Sequence, residues 1–226
     1  MKKNKLFIAC DSTSIKKITK IIKDSKNNKL IVGYKFGLEF LNSKNGRKYI
    51  SKLKNIITFG DYKFSDIPNT CSSAIKAIKD LNFNYLTIHI SSGLEALKAA
   101  KKVSGNSKLI GVTILTSIND KSLKEIGFNR SIKNIVYRQA KLAKKANLDG
   151  IVCSAKEIKY VKKIFKKEII TPGIRYDKKT HDQKRVLSPK QAFQNGSDWL
   201  VMGRSITEGN IKKNIQKLSK ILKIIN

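Results

Sequence analysis

The feature that most restricts this chain is an alternation that repeats eight times along its length. Short apolar stretches rich in β-branched residues, at 6–10, 30–35, 56–61, 85–90, 109–115, 150–153, 169–171 and 199–202, read as strands. Between them lie segments of helical period at 14–23, 38–53, 70–81, 93–103, 132–146, 156–165 and 189–194, and a helix at 210–224 closes the chain. Strands separated by helices make parallel sheets, because parallel neighbours need a long crossover between them. Eight such units in 226 residues predict a single α/β domain over 1–226, a (β/α)8 TIM barrel. Periodicity by itself also admits a doubly wound open sheet.

Net charge is the next constraint. The chain carries 48 basic against 16 acidic residues, a formal charge of +32, which first suggests a nucleic-acid binder. The lysines, however, are spread over nearly every predicted helix, as at Lys16, Lys17, Lys98, Lys101, Lys144, Lys162 and Lys212, and form no basic tail or basic-aromatic stripe. Solvated helix faces in a Lys-, Asn- and Ile-rich chain explain them better, so no specific nucleic-acid partner is expected. Cys10, Cys71 and Cys153 are widely spaced without a C-x-x-C pair, which predicts buried thiols in a reducing compartment and no zinc site. The apolar run after the basic start ends at Asp11, too short for a signal peptide, and no stretch is long enough to span a membrane. The expected location is the cytoplasm.

A barrel places its chemistry at the C-terminal ends of its strands. Asp11, Lys35, Asp61, Lys63, Thr116, Arg175, Gly203 and Arg204 all fall at or just after predicted strand ends. Charged groups there are hard to justify as packing. On an extended backbone Asp61 and Lys63 point to one side, so they can share a pocket, and Lys35 would make Asp61 a bridging anion. An Asp-x-Lys alone is as readily a structural ion pair as a catalytic one. Lys35 alone could be a snorkelling strand-end lysine, and Asp66 a helix cap, although Pro68 and Thr70 are better placed to start that helix. His89, on an apolar strand, reads as structural, and His181 as a solvated loop residue.

The run from Asp61 through Lys63, Asp66, Ile67, Pro68 and Asn69 to Thr70 resembles the D-x-K-x-x-D-I-P-N-T signature of orotidine 5'-phosphate decarboxylases. Asp11, Lys35 after Val32-Gly33-Tyr34, Thr116, the Thr171-Pro172-Gly173-Ile174-Arg175 run, Asp182-Gln183 and Met202-Gly203-Arg204-Ser205 match in order, so the resemblance covers essentially the whole chain. It implies decarboxylation of orotidine 5'-monophosphate (OMP) to UMP, the last step of de novo UMP synthesis, with no metal and no cofactor. Lys63 would protonate C6 of the pyrimidine, Asp61 would press against the substrate carboxylate, and Lys35 would help orient Lys63.

The resemblance also implies a homodimer in which Asp66, Ile67 and Thr70 complete the neighbouring subunit's site. Asp11, Lys35 and Thr70 would contact the ribose and Thr116 the ring. Gly203 and Arg204 would take the phosphate, with Arg175 and Gln183 bracketing a loop that closes over phosphate and pyrimidine. The nearest rivals are magnesium-dependent phosphosugar enzymes that share D-x-K-x-x-D, then a Schiff-base aldolase through Lys63, whose ion pairing would make it a poor nucleophile.

Overall fold

The computed structural model describes residues 4–26, 29–176 and 187–222, and in it eight parallel strands close into one barrel in sequence order. They are β1 (Lys5–Ala9), β2 (Ile31–Phe36), β3 (Ile57–Phe64), β4 (Tyr85–His89), β5 (Lys108–Val112), β6 (Gly150–Val152), β7 (Glu168–Thr171) and β8 (Trp199–Met202). Closure comes from β8 pairing with β1, Lys5 opposite Trp199 and Ile8 opposite Met202. That pairing excludes the open sheet.

The helices are α1 (Ile15–Asp24), α2 (Leu38–Leu41), α3 (Gly46–Ile50), α4 (Pro68–Ala77), α5 (Gly93–Val103), α6 (Asp120–Glu125), α7 (Ile132–Lys145), α8 (Ile158–Ile164), α9 (Pro189–Gln194), α10 (Arg204–Thr207) and α11 (Ile211–Ile221). Local chemistry sets many of their starts. Ser14, Asn119, Ser131 and Asn210 accept backbone N–H groups as N-caps, Ser188 and Gln191 form a capping box, and Pro68 and Pro189 open their helices. Among the described residues no helix is long and apolar enough to cross a membrane.

Side chains alternate about the barrel wall with period two. Phe7, Ala9, Phe59, Tyr85, Ile110, Ile170, Trp199 and Val201 fill the interior, with Phe7 stacked on Trp199 at 4.0 Å. Leu6, Ile8, Leu86, Ile88, Leu109, Ile151, Ile169 and Leu200 face the helices in a separate cluster. The lower end of the barrel is shut by Glu168, whose Oε1 lies 3.4 Å from Lys5 Nζ and 3.0 Å from Lys108 Nζ. The upper end, where the strands finish, opens into a cavity.

Several expected boundaries move for identifiable reasons. The helix expected over 38–53 is two short ones, α2 and α3. Asn42 and Ser43 turn their side chains back onto the carbonyls of Leu38 and Phe40, at 2.8 and 2.7 Å, and compete with helix propagation. Gly46 then packs so tightly that a Cβ there would meet the Phe40 carbonyl oxygen. The strand expected to run to residue 115 stops at Val112, just before Thr113 gives both its N–H and its hydroxyl to the Val152 carbonyl. The helix expected from residue 70 starts at Pro68, and α6 and α10 were not anticipated.

Candidate active site

The polar strand ends converge. Asp11, Lys35, Asp61, Lys63, Thr116, Arg175, Gly203 and Arg204 line one cavity of about 600 Å³ at the upper mouth of the barrel. Its floor is the top apolar layer of the interior, Ala9, Phe59, Val112, Val152 and Val201. Charged walls over an apolar floor suit a ligand with a flat ring and anionic ends.

One wall is an alternating row of charges. Ala9 pairs with Lys35 across β1 and β2, which brings the Lys35 ammonium 3.3 Å from Asp11 Oδ1 and 3.3 Å from Asp61 Oδ2. Lys63 Nζ approaches the same Asp61 Oδ2 at 2.8 Å. Gly37 leaves room for this row, since a Cβ there would lie 2.8 Å from Asp11 Oδ1 and 3.2 Å from Lys35 Nζ. Burial alone would push the Asp61 carboxyl up; the charges of Lys35 and Lys63, with hydrogen bonds from Lys63 and Thr87, outweigh it and hold the group below its ordinary 3.8. Burial likewise works against the Lys35 charge, and Asp61 and Asp11 outweigh it, keeping the ammonium above its ordinary 10.5. Burial, then the Lys63 charge, hold His89 below its ordinary 6.5 against the opposing charge of Asp61.

Asp61 and Lys63 meet, but not by plain alternation. The β3–β4 register shifts between Gly60 and Phe64, and Lys63 has φ +53°, a left-handed conformation unusual for a residue with a side chain. Such a bulge re-aims a side chain at a site, and the strain must be held by its surroundings. Thr87, fully buried on β4, does the holding: its hydroxyl accepts the Lys63 N–H at 2.7 Å and donates to Asp61 Oδ1 at 3.1 Å. Both carboxylate oxygens of Asp61 are thereby engaged.

The opposite wall carries Arg175 just beyond β7, and Gly203 with Arg204 where β8 gives way to α10. Asp66, Ile67 and Thr70 do not line this cavity. They are exposed at the start of α4, where Asp66 Oδ1 accepts the Ile67 N–H at 2.7 Å and Ile67, the N-cap residue, is 66% exposed. Gln183 lies outside the described residues, as do Asp182 and His181.

A family profile described as "Orotidine 5'-phosphate decarboxylase / HUMPS family" matches residues 4–217. The chain belongs to this family. It is 44% identical to the orotidine 5'-phosphate decarboxylase of a Wolbachia from Brugia malayi, covering 81% of this chain and 84% of the relative. It is 40% identical to that of Buchnera aphidicola from Acyrthosiphon pisum, covering 97% of this chain and 94% of the relative. The crystal structure of orotidine 5'-phosphate decarboxylase from Lactobacillus acidophilus superposes with a TM-score of 0.83 at 30% identity, over 97% of this chain and 99% of that one.

Two contributors to this decarboxylase-family cavity escape a reading of the sequence. Thr87 had a weak signal, as the one aliphatic hydroxyl in its strand. Lys17 had none: it reads as one more solvated helix lysine, yet it lines the cavity from the first turn of α1. At least this part of the dispersed positive charge faces the cavity.

Proposed function

We propose that the chain decarboxylates OMP to UMP and CO2 without metal or organic cofactor. The observation that carries this reading is Asp61, buried and ionised between Lys35 and Lys63, across a cavity from Arg175 and Arg204. The substrate phosphate binds at Gly203 and Arg204, where close backbone approach and a forked guanidinium suit it. Ribose hydroxyls meet Asp11 and Lys35, and the pyrimidine lies over the apolar floor beside Thr116. Binding energy from the phosphate offsets the cost of holding the substrate carboxylate against Asp61. The bond from C6 to the carboxyl carbon then breaks, its electron pair stays on C6, and CO2 leaves. A proton from Lys63 Nζ closes the valence at C6, and solvent restores that proton. A cation fixed beside the developing anion is the kind of preorganised electrostatics that dominates many enzymatic accelerations.

The active form is a homodimer in the cytoplasm, with Asp66, Ile67 and Thr70 facing the partner's cavity; their exposure and their absence from their own cavity support this. Magnesium-dependent phosphosugar chemistry is the competing reading. It fits less well, because Asp61 already has two ammonium groups on one oxygen and a divalent cation there would be repelled. The test is the loss of ultraviolet absorbance when purified protein meets OMP, with and without EDTA. Chelator-resistant formation of UMP supports the reading, and a folded protein that leaves OMP untouched overturns it.

Two further results are expected. First, since Asp61 sits below 3.8 and Lys35 above 10.5, neither changes charge in the neutral range. kcat should therefore stay flat from about pH 7.5 down to about pH 5, while kcat/KM falls below about pH 6 as the substrate phosphate gains a proton. Stability follows the same groups: the Asp61 contribution is present above its unfolded value and is lost in acid, and that of Lys35 is lost only in strong alkali. An acid limb in kcat near pH 6 would require a different essential carboxylate or imidazole. Second, Thr87→Val keeps the shape but removes both hydrogen bonds, and kcat should fall by about thirtyfold with KM within about threefold, while Thr87→Ser recovers most of the loss. Unchanged kcat in Thr87→Val would mean that packing alone holds the Lys63 bulge.

A further inference from the structure

The two arginine-bearing segments of the cavity wall are tied together by Asn214, a residue of α11 outside every motif singled out above. Its side-chain amide donates to the Ile206 carbonyl at 3.0 Å and to the Glu208 carbonyl at 2.7 Å, at the end of the short helix that begins with Arg204. Its own backbone carbonyl accepts the hydroxyl of Tyr176, the neighbour of Arg175, at 2.9 Å. Helix α10 has four residues and no side-chain N-cap, so it cannot be stable by itself and takes its position from what it is tied to. On the other side Lys217, one turn along α11 from Asn214, sits 5.0 Å from the centre of the Tyr176 ring and fastens it to the same helix. One asparagine thus spans the two segments that present guanidinium groups to the cavity.

We infer that Asn214 is a positioning residue that sets the separation of Arg175 and Arg204, and so the strength with which the substrate phosphate is held. The inference rests on the decarboxylase reading, because it needs a phosphate in that place. Its mechanism is geometric. Misplacing a charged clamp by about an ångström can cost up to a hundredfold in a reaction that depends on it.

Asn214→Leu keeps the size of the side chain and removes its donors. Compared on OMP and on orotidine, the same nucleoside without phosphate, it should raise KM for OMP about tenfold and leave kcat/KM for orotidine within about twofold. In an Arg204→Ala background the same change should cost less than about twofold more, since the group it positions has gone. Asn214→Asp, which also cannot donate, gives the same comparison if the leucine variant folds poorly. Equal losses on OMP and orotidine, or full additivity with Arg204→Ala, would overturn the inference by reducing Asn214 to a general packing role. Wild-type protein that does not turn over OMP would overturn the decarboxylase reading and this inference with it; wild-type turnover with an unchanged KM in both Asn214 variants would overturn the inference alone.

Discussion

Lys63→Ala is expected to lower kcat for OMP by at least about ten-thousandfold while UMP binding stays within about fivefold. The size follows from two roles lost together. Lys63 is the proposed proton donor, and general acids of this kind contribute about a hundredfold to ten-thousandfold. It is also a cation 2.8 Å from Asp61, beside the C6 carbanion of the proposed mechanism, and removing one such preorganised group costs a further hundredfold or more. Binding survives because Arg175, Gly203 and Arg204 stand on the opposite wall, and the Lys35–Asp61 pair at 3.3 Å remains to keep Asp61 ionised. The measurement is steady-state decarboxylation beside calorimetric titration with UMP. Turnover close to wild type would remove Lys63 from the chemistry, and a parallel collapse of UMP binding would make it a structural lysine.

What the sequence carried and what it hid divide along physical lines. The eight strand–helix units were legible because their two periodicities are dictated by burial on both faces of a parallel sheet, and the number of units pointed to a barrel. Closure itself rests on the β8–β1 pairing, which periodicity does not record. Cavity-lining residues at strand ends were legible for a related reason: Lys35 and Asp61 are charged inside largely apolar strands, and Asp11 and Arg204 follow just after theirs, where a barrel opens. The broken helix at 42–45 was hidden because Asn42 and Ser43 act through their own side chain to backbone bonds, which no periodicity records. The bulge at Lys63 was hidden as well. A lysine gives no sign that it will take φ +53°, and the restraint that makes it do so comes from Thr87, 24 residues away on the next strand. Tyr176 and Asn214 are a longer-range case, joined across 38 residues by a contact that exists only once α11 has packed beside α10.

The second large effect tests the proposed subunit interface. Asp66→Ala should inactivate the protein by about a hundredfold to a thousandfold, yet an equal mixture of Lys63→Ala and Asp66→Ala proteins, allowed to exchange subunits, should recover about a quarter of wild-type activity. In a two-fold dimer with shared sites, each hybrid contains one cavity in which both defects meet and one in which native Lys63 faces native Asp66 from the partner. Random exchange makes about half of the dimers hybrid, so about one cavity in four is intact. If Asp66 instead served its own cavity, every cavity in the mixture would lack one group, and no activity would return. The geometry favours the first outcome: Asp66 and Ile67 are exposed, and neither lines the cavity of its own chain. Subunit exchange itself is checked with differently tagged chains. Recovery near one quarter fixes Asp66 as a group that acts across the interface; no recovery despite proven exchange returns it to the helix start, where its carboxylate does no more than accept the Ile67 N–H.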